Sequence, residues 1–148
     1  QEPVDITRYS FVRTPVREQW GVLIRRDSDL ATRTCVTPAD LASVPLILPE
    51  REIVQNELFS WFGSYAEGLR ITAAGNLLYN MASLARESGN GVITLNLDCT
   101  YEDLCFIPLS PGLESNTVLV WKKAQPFSAA AAAFILHSQK FISGMMQD

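Results

Sequence analysis

Gln19-Trp20-Gly21-Val22-Leu23-Ile24-Arg25-Arg26-Asp27-Ser28-Asp29-Leu30-Ala31 is the stretch whose reading decides the architecture. It begins as an apolar run rich in Trp, Val, Leu and Ile, the composition of a buried strand. It ends in Arg-Arg-Asp-Ser-Asp, too charged and too turn-prone to stay inside a sheet. Thr117-Val118-Leu119-Val120-Trp121-Lys122-Lys123 repeats the pattern downstream, an apolar strand closed by paired cations. Two such passages read as a hinge, with residues 26–120 forming one lobe and residues 1–25 and 121–148 contributing to another.

The chain has 148 residues, enough for one domain with a core or one lobe plus part of a second. A hydrophobic content of 47% against 19% charged residues belongs to an ordered globular chain. No apolar stretch approaches the roughly 20 residues that span a bilayer. Gln1-Glu2-Pro3 has neither the basic nor the apolar region of a secretion signal, and with no initiator Met the expectation is a piece of a longer protein. The net charge of −4 and pI near 5.0 argue against nucleic-acid binding by this segment, because phosphate contacts demand clustered cations. Arg8, Arg13, Arg17, Arg25, Arg26 and Arg33 supply half of the 12 cations and read as a solvated, snorkelling set. Three cysteines, Cys35, Cys99 and Cys105, lack C-x-x-C spacing, which points to reduced thiols and a cytoplasmic setting. With His137 the single histidine, no zinc site or other cofactor is expected.

Along the chain, residues 1–5 read as a frayed entry. Thr7 to Arg13 alternates as a strand, Thr14-Pro15 breaks it, and the Trp20 strand follows. Thr37-Pro38-Ala39-Asp40 carries a cap, a first-turn proline and a capping-box carboxylate, and Pro45 stops that helix. Leu46-Ile47-Leu48 is a brief buried strand running into Pro49-Glu50-Arg51. Arg51 to Phe62 is an amphipathic helix with Val54, Leu58, Trp61 and Phe62 on one face, ended by Gly63. Arg70 to Ala73 is a strand. Asn76 caps a helix whose inner face is Leu78, Met81, Ala82 and Ala85, and Ser88-Gly89-Asn90-Gly91 terminates it. Strands at Val92–Leu95 and Leu104–Leu109 and a helix from about Ser128 to Met146 complete the series. The last helix sets Ala131, Phe134, Ile135, Phe141, Ile142 and Met145 on its apolar face. Alternation of strand and helix between the hinges implies a largely parallel α/β lobe with helices on both faces. The ligand crevice of such a sheet lies beyond the C-terminal strand ends.

Trp20 to Ala31, with its W-G-V-L-x-R-x-D-S-x-L-A pattern, resembles the segment leaving the first lobe of LysR-type transcriptional regulators. Thr37-Pro38-Ala39-Asp40-Leu41 with Pro45-Leu46-Ile47, then Gly75 to Asn80, Gly89 to Val92, Leu104 to Leu109 and Val118 to Lys123, follow in that family's order and spacing. The resemblance covers nearly the whole chain. It implies the effector domain of type 2 periplasmic-binding-protein-like fold, with one complete α/β lobe (RD-II) and a partial first lobe (RD-I). It further implies a cytoplasmic sensor that controls DNA binding through a winged helix-turn-helix outside these residues and that assembles as a dimer or tetramer.

Carried over, the effector contacts become Pro49, Glu50 and Arg51; Gly75 and Asn76; Thr94, Leu95 and Asn96; and Thr14 near the crossover. A helix start at Asn76 offers unpaired N–H groups and partial positive charge. Arg51 adds a bidentate partner for a carboxylate, so a small, anionic effector is expected. The family's self-association places one of Leu58, Trp61 or Phe62 against a second chain. No catalytic arrangement is expected, since His137 lies in a terminal helix with no nucleophile or carboxylate motif beside it. Cys99 and Cys105 read as inert thiols before they read as a redox pair. The competing function is a type 2 solute-binding protein serving a transporter, which shares the lobed fold. A third is a stand-alone lobe serving dimerisation.

Overall fold

In the computed structural model, residues 5–145 are described; all but the last residue of the frayed entry expected at 1–5, and the helix end expected at Met146, lie outside them. The chain divides into two compact units, one built from Glu18–Glu114 and the other from the residues up to Arg17 together with those from Ser115 on. The division therefore falls earlier at both passages than the cation pairs suggest. The reason is burial: Trp20, Val22, Leu23 and Ile24 all belong to the core of the first unit.

The elements of the first unit are β1 (Tyr9–Arg25, whose apolar half lies here), α1 (Pro38–Leu41), β2 (Leu46–Pro49), α2 (Glu52–Phe62), β3 (Ile71–Gly75), α3 (Leu78–Ser88), β4 (Gly91–Leu95) and β5 (Leu104–Pro108). The sheet order is β3-β2-β4-β1-β5. β2 pairs parallel with β3 and β4, while β1 runs antiparallel to both β4 and β5. The expected, largely parallel α/β sheet is thus mixed, because β1 runs antiparallel to β4 and β5 on either side of it. Alternate residues of each central strand feed two separate cores. Val22, Ile24, Leu46, Leu48 and Ile93 pack with Leu58 and Phe62 of α2 on one face. Leu23, Ile47 and Val92 pack with Met81, Ala82 and Ala85 of α3 on the other. Each fully buried aliphatic side chain stabilises the fold by roughly 1.5–3 kcal/mol.

Gly21 is required by this sheet. A Cβ there would lie 2.2 Å from the Phe106 ring and 2.5 Å from the Ile107 carbonyl oxygen. The helix boundaries obey local chemistry. Thr37 accepts from the Asp40 N–H while the Asp40 carboxylate accepts from the Thr37 N–H at 2.9 Å, the reciprocal cap expected from the sequence. Gly63 at φ +56° and Gly89 at φ +73° end α2 and α3 in backbone conformations that suit a residue without Cβ.

The second unit contains the first half of β1, β6 (Glu114–Lys122) and α4 (Ala129–Met145). Thr14-Pro15 does not interrupt β1, which continues from Tyr9 through Pro15 to Arg25. Proline is tolerated on a strand where its missing N–H faces no ladder partner. β6 pairs with β1. The Arg8 carbonyl accepts from the Lys123 N–H at 3.0 Å, and the Thr14 hydroxyl donates to the Thr117 carbonyl at 3.1 Å. The crossed order of these two contacts makes this half of the pair antiparallel. On α4 only Ile142 of the expected apolar face is buried, whereas Phe134 and Phe141 are 61% and 60% exposed.

Two measurements check this account. Gly21→Ala should destabilise the chain by about 1–3 kcal/mol or more in urea unfolding, because a backbone oxygen cannot swing aside. Hydrogen bonds from Thr37 first, and then Arg33, hold the Asp40 carboxyl below its usual range. Its contribution to stability is therefore present above the unfolded-state value near pH 4 and is lost as pH falls through the folded-state value. Asp40→Asn should flatten that acid limb of the stability–pH curve, and Thr37→Ala should cost about 1 kcal/mol at pH 7.

Candidate functional site

The C-terminal ends of β2, β3 and β4 meet at one edge of the first unit. Pro49 stands opposite Gly75, and Trp20 opposite Leu95, in the strand register. A cleft of about 250 Å³ opens there, lined by Trp20, Pro49, Glu50, Arg51, Gly75, Asn76, Leu78, Met81, Thr94, Leu95 and Leu97. The structure thus gathers seven of the nine sequence-derived effector positions. They converge because three parallel strands all end on the same side, each followed by a loop or a helix start.

The loops are tied by backbone and amide hydrogen bonds. The Glu50 N–H donates to the Gly75 carbonyl at 2.9 Å, joining the first two loops. Gln55, from the first turn of α2, donates its side-chain amide to the Pro49 carbonyl at 2.8 Å. Gly75 leaves room for Met81, whose Cγ and Sδ would lie 3.0 and 3.2 Å from a Cβ at that position. Both helices that begin at the cleft do so without a side-chain cap: Arg51 precedes α2 and Leu77 precedes α3. Asn76 is therefore not the cap of α3 but an exposed residue one step earlier, because the helix starts two residues after it. First-turn N–H groups lack intrahelical partners and carry partial positive charge. Two such starts bias this rim toward anions, reinforced by Arg51 and opposed by Glu50.

Two expected positions fall elsewhere. Asn96 is not among the lining residues; its N–H donates to the Gln19 carbonyl at 2.8 Å and its side-chain oxygen accepts from the Asp98 N–H at 3.2 Å. Thr14 belongs to the second unit, where its hydroxyl lies 2.5 Å from that of Thr117. Thr94 lines the cleft, but its hydroxyl donates to the Leu95 carbonyl at 3.3 Å. Sequence reading missed Trp20, Leu78, Met81 and Leu97 as lining residues. The strand-to-strand register that sets Trp20 beside Leu95 carries no local signal.

The expected interface residues divide. Leu58 and Phe62 are 0% and 1% exposed within the first core, so neither presents surface to another chain. Trp61 is half-buried; its indole N–H donates to the Pro111 carbonyl at 2.7 Å and its ring meets Phe62 edge-on at 4.9 Å. His137 stacks on Phe141 with ring centres 6.3 Å apart. All three cysteines are free thiols; burial pushes Cys105 up, with Arg26 pulling the other way. Among the described residues no group of three or more His, Cys, Asp or Glu side chains is arranged to hold a metal ion. Among the same residues, no helix is long and apolar enough to cross a membrane.

The core assignment of Leu58 has a direct check. Leu58→Ala should cost about 2–5 kcal/mol of unfolding free energy. Sedimentation of the still-folded fraction should show the same association state as the parent chain.

Residues 7–141 match the model of the LysR substrate binding domain. No curated protein matches the chain. The effector binding domain of QuiR in complex with shikimate is similar in structure, with a TM-score of 0.76 at 15% identity over 95% of this chain and 68% of that one. The Synechocystis PCC6803 CcmR regulatory domain in complex with 2-PG gives 0.75 at 13% identity over 98% and 72%. HinK, a LysR family transcriptional regulator from Pseudomonas aeruginosa, gives 0.73 at 14% identity over 96% of this chain and 50% of its own, so the chain spans half the length of that regulator.

Proposed function

The chain belongs to the LysR substrate binding domain family, and from that premise we propose that it is the effector-sensing and self-association part of a bacterial transcriptional regulator. The observation that carries the reading is the cleft at the strand ends, where Pro49–Arg51, Gly75, Asn76, Thr94 and Leu95 come together. Its mouth joins two uncapped helix starts to a guanidinium, a combination that favours a small anionic effector. Shikimate and 2-PG, held by QuiR and CcmR in the similar structures, are of that size and charge class.

In this reading the effector alters DNA binding by a winged helix-turn-helix elsewhere in the cytoplasmic regulator, and a coupling of about 1–3 kcal/mol suffices. Trp61 and the exposed apolar residues of the second unit support self-association as a dimer or tetramer. The role is regulatory, with no catalytic step. A transporter's solute-binding protein is disfavoured by the family match.

Calorimetric titration with a panel of small carboxylates and phosphates, shikimate and 2-PG included, tests the proposal. At least one compound should bind, and Arg51→Ala and Asn76→Ala should each weaken it about ten- to a hundredfold, the loss of one hydrogen bond to a charged group. Unchanged affinity in both variants would move the effector away from this cleft.

A further inference from the structure

Three arginines converge at the end of the sheet opposite the strand-end cleft. Trp20 of β1 stands opposite Leu95 at the cleft, and Arg25 stands opposite Leu104, about 17 Å further along at the usual strand rise. A hollow of about 340 Å³ there is lined by Arg25, Arg26, Asp27, Arg86 and Asp103. Strand alternation brings Arg25 to it, since Arg25 follows Leu23 on the face that packs against α3. Its Nη1 donates to the Arg86 carbonyl in the last turn of α3 at 3.4 Å, and Asp27 accepts from its Nε at 2.8 Å and from its Nη2. Arg25 is thus fixed, its charge at a helix C-terminus where the dipole favours a cation. The main-chain N–H of Arg26 donates to the Asp103 carbonyl at 2.8 Å, which ties it to the turn before β5. Among the described residues no hydrogen bond or ion pair takes the Arg26 guanidinium. Arg86 meets Glu87 at 3.6 Å, an exposed pair of little worth. With Asp27 committed to Arg25, two guanidinium forks share this hollow with one uncommitted carboxylate, that of Asp103, on a chain of net charge −4.

We propose that this hollow is a second anion site, separate from the strand-end cleft, that takes the phosphate group of a phosphorylated small molecule. Guanidinium forks match phosphate oxygens in pairs, and Arg26 and Arg86 both keep donors for such contacts. The ligand's organic body lies in the adjoining hollow of about 170 Å³, which shares Arg86 and is walled by Tyr79, Ser83, Thr100, Tyr101 and Glu102. Tyr79, 73% exposed, and the half-buried Tyr101 supply ring surface to a base or sugar, and Glu102 accepts from hydroxyls. Asp103 sets the limit on affinity: binding must outweigh its repulsion of the anion, so both guanidiniums are needed. The acidic balance of the chain disfavours the same contact with a nucleic-acid backbone. The site draws on none of the cleft residues.

The test titrates the 148-residue chain with AMP and with inorganic phosphate at constant ionic strength, followed by amide NMR shifts. AMP should move the amides of Arg26, Arg86 and Asp103 together with those of Thr100 and Tyr101, with a Kd of about 1 mM or tighter. Inorganic phosphate should move the first three alone and bind about tenfold more weakly, since it lacks the body. Arg26→Gln and Arg86→Gln, at exposed positions outside both cores, should each weaken AMP about tenfold or more and leave the melting temperature unmoved. Absence of shifts in the hollow, shifts confined to Glu50, Asn76 and Leu95, or AMP affinity unchanged in both variants would overturn the site. Inorganic phosphate binding as tightly as AMP would overturn the assignment to a phosphorylated molecule in favour of a bare anion.

Discussion

The pairing of Trp20–Ile24 between β4 and β5 is the constraint on which the first unit depends. This short run supplies side chains to both cores, Val22 and Ile24 to one and Leu23 to the other. Its antiparallel register also aligns the ends of the parallel strands. Trp20 stands opposite Leu95 at one extreme and Arg25 opposite Leu104 at the other. A one-residue slip would exchange the two faces, burying Gly21 where a large side chain is needed and driving Val22 into Phe106. The cleft inherits its shape from the same register, because the indole reaches the strand ends only in this alignment.

The two longer helices of this unit, α2 and α3, do different work at the cleft, and their sequences show why. α2 turns its apolar stripe, Leu58 and Phe62, fully inward, leaving its first turn at the mouth beside Arg51. α3 buries small residues, Ala82 and Ala85, which let it lie close to the sheet, and Met81 fills the space that Gly75 vacates. Both helices thus begin at the cleft, while only α3 adds side chains, Leu78 and Met81, to its lining.

Much of this was legible beforehand. The α1 cap, the strands at Leu46 and Val92, the α3 core face and the gathering of three loops all followed from periodicity, capping chemistry and the rule for strand ends. The misreadings have physical causes. Pro15 reads as a breaker, yet it sits in an unbroken strand, since a proline interrupts pairing only where its N–H was needed. Asn76 has the side chain of a cap, but the helix begins later, after Leu77. Trp61-Phe62 presents two adjacent aromatics, and periodicity alone does not say which is core. Phe62 is, while Trp61 is pinned through its indole N–H. The burial of Trp20–Ile24 within the first unit, ahead of the Arg25-Arg26 pair, depends on partners far away in sequence and left no local trace.

Gly21 has an implication for how such a chain can diverge. The structural neighbours keep the fold at 13–15% identity, so most positions accept replacement over time. At Gly21 the obstacle includes a main-chain oxygen of Ile107 as well as the Phe106 ring. Shrinking the ring clears only half of the obstruction, and no exchange of side chains removes a carbonyl. Evolutionary drift through this site thus has no single-step exit; the backbone of two strands would have to move first.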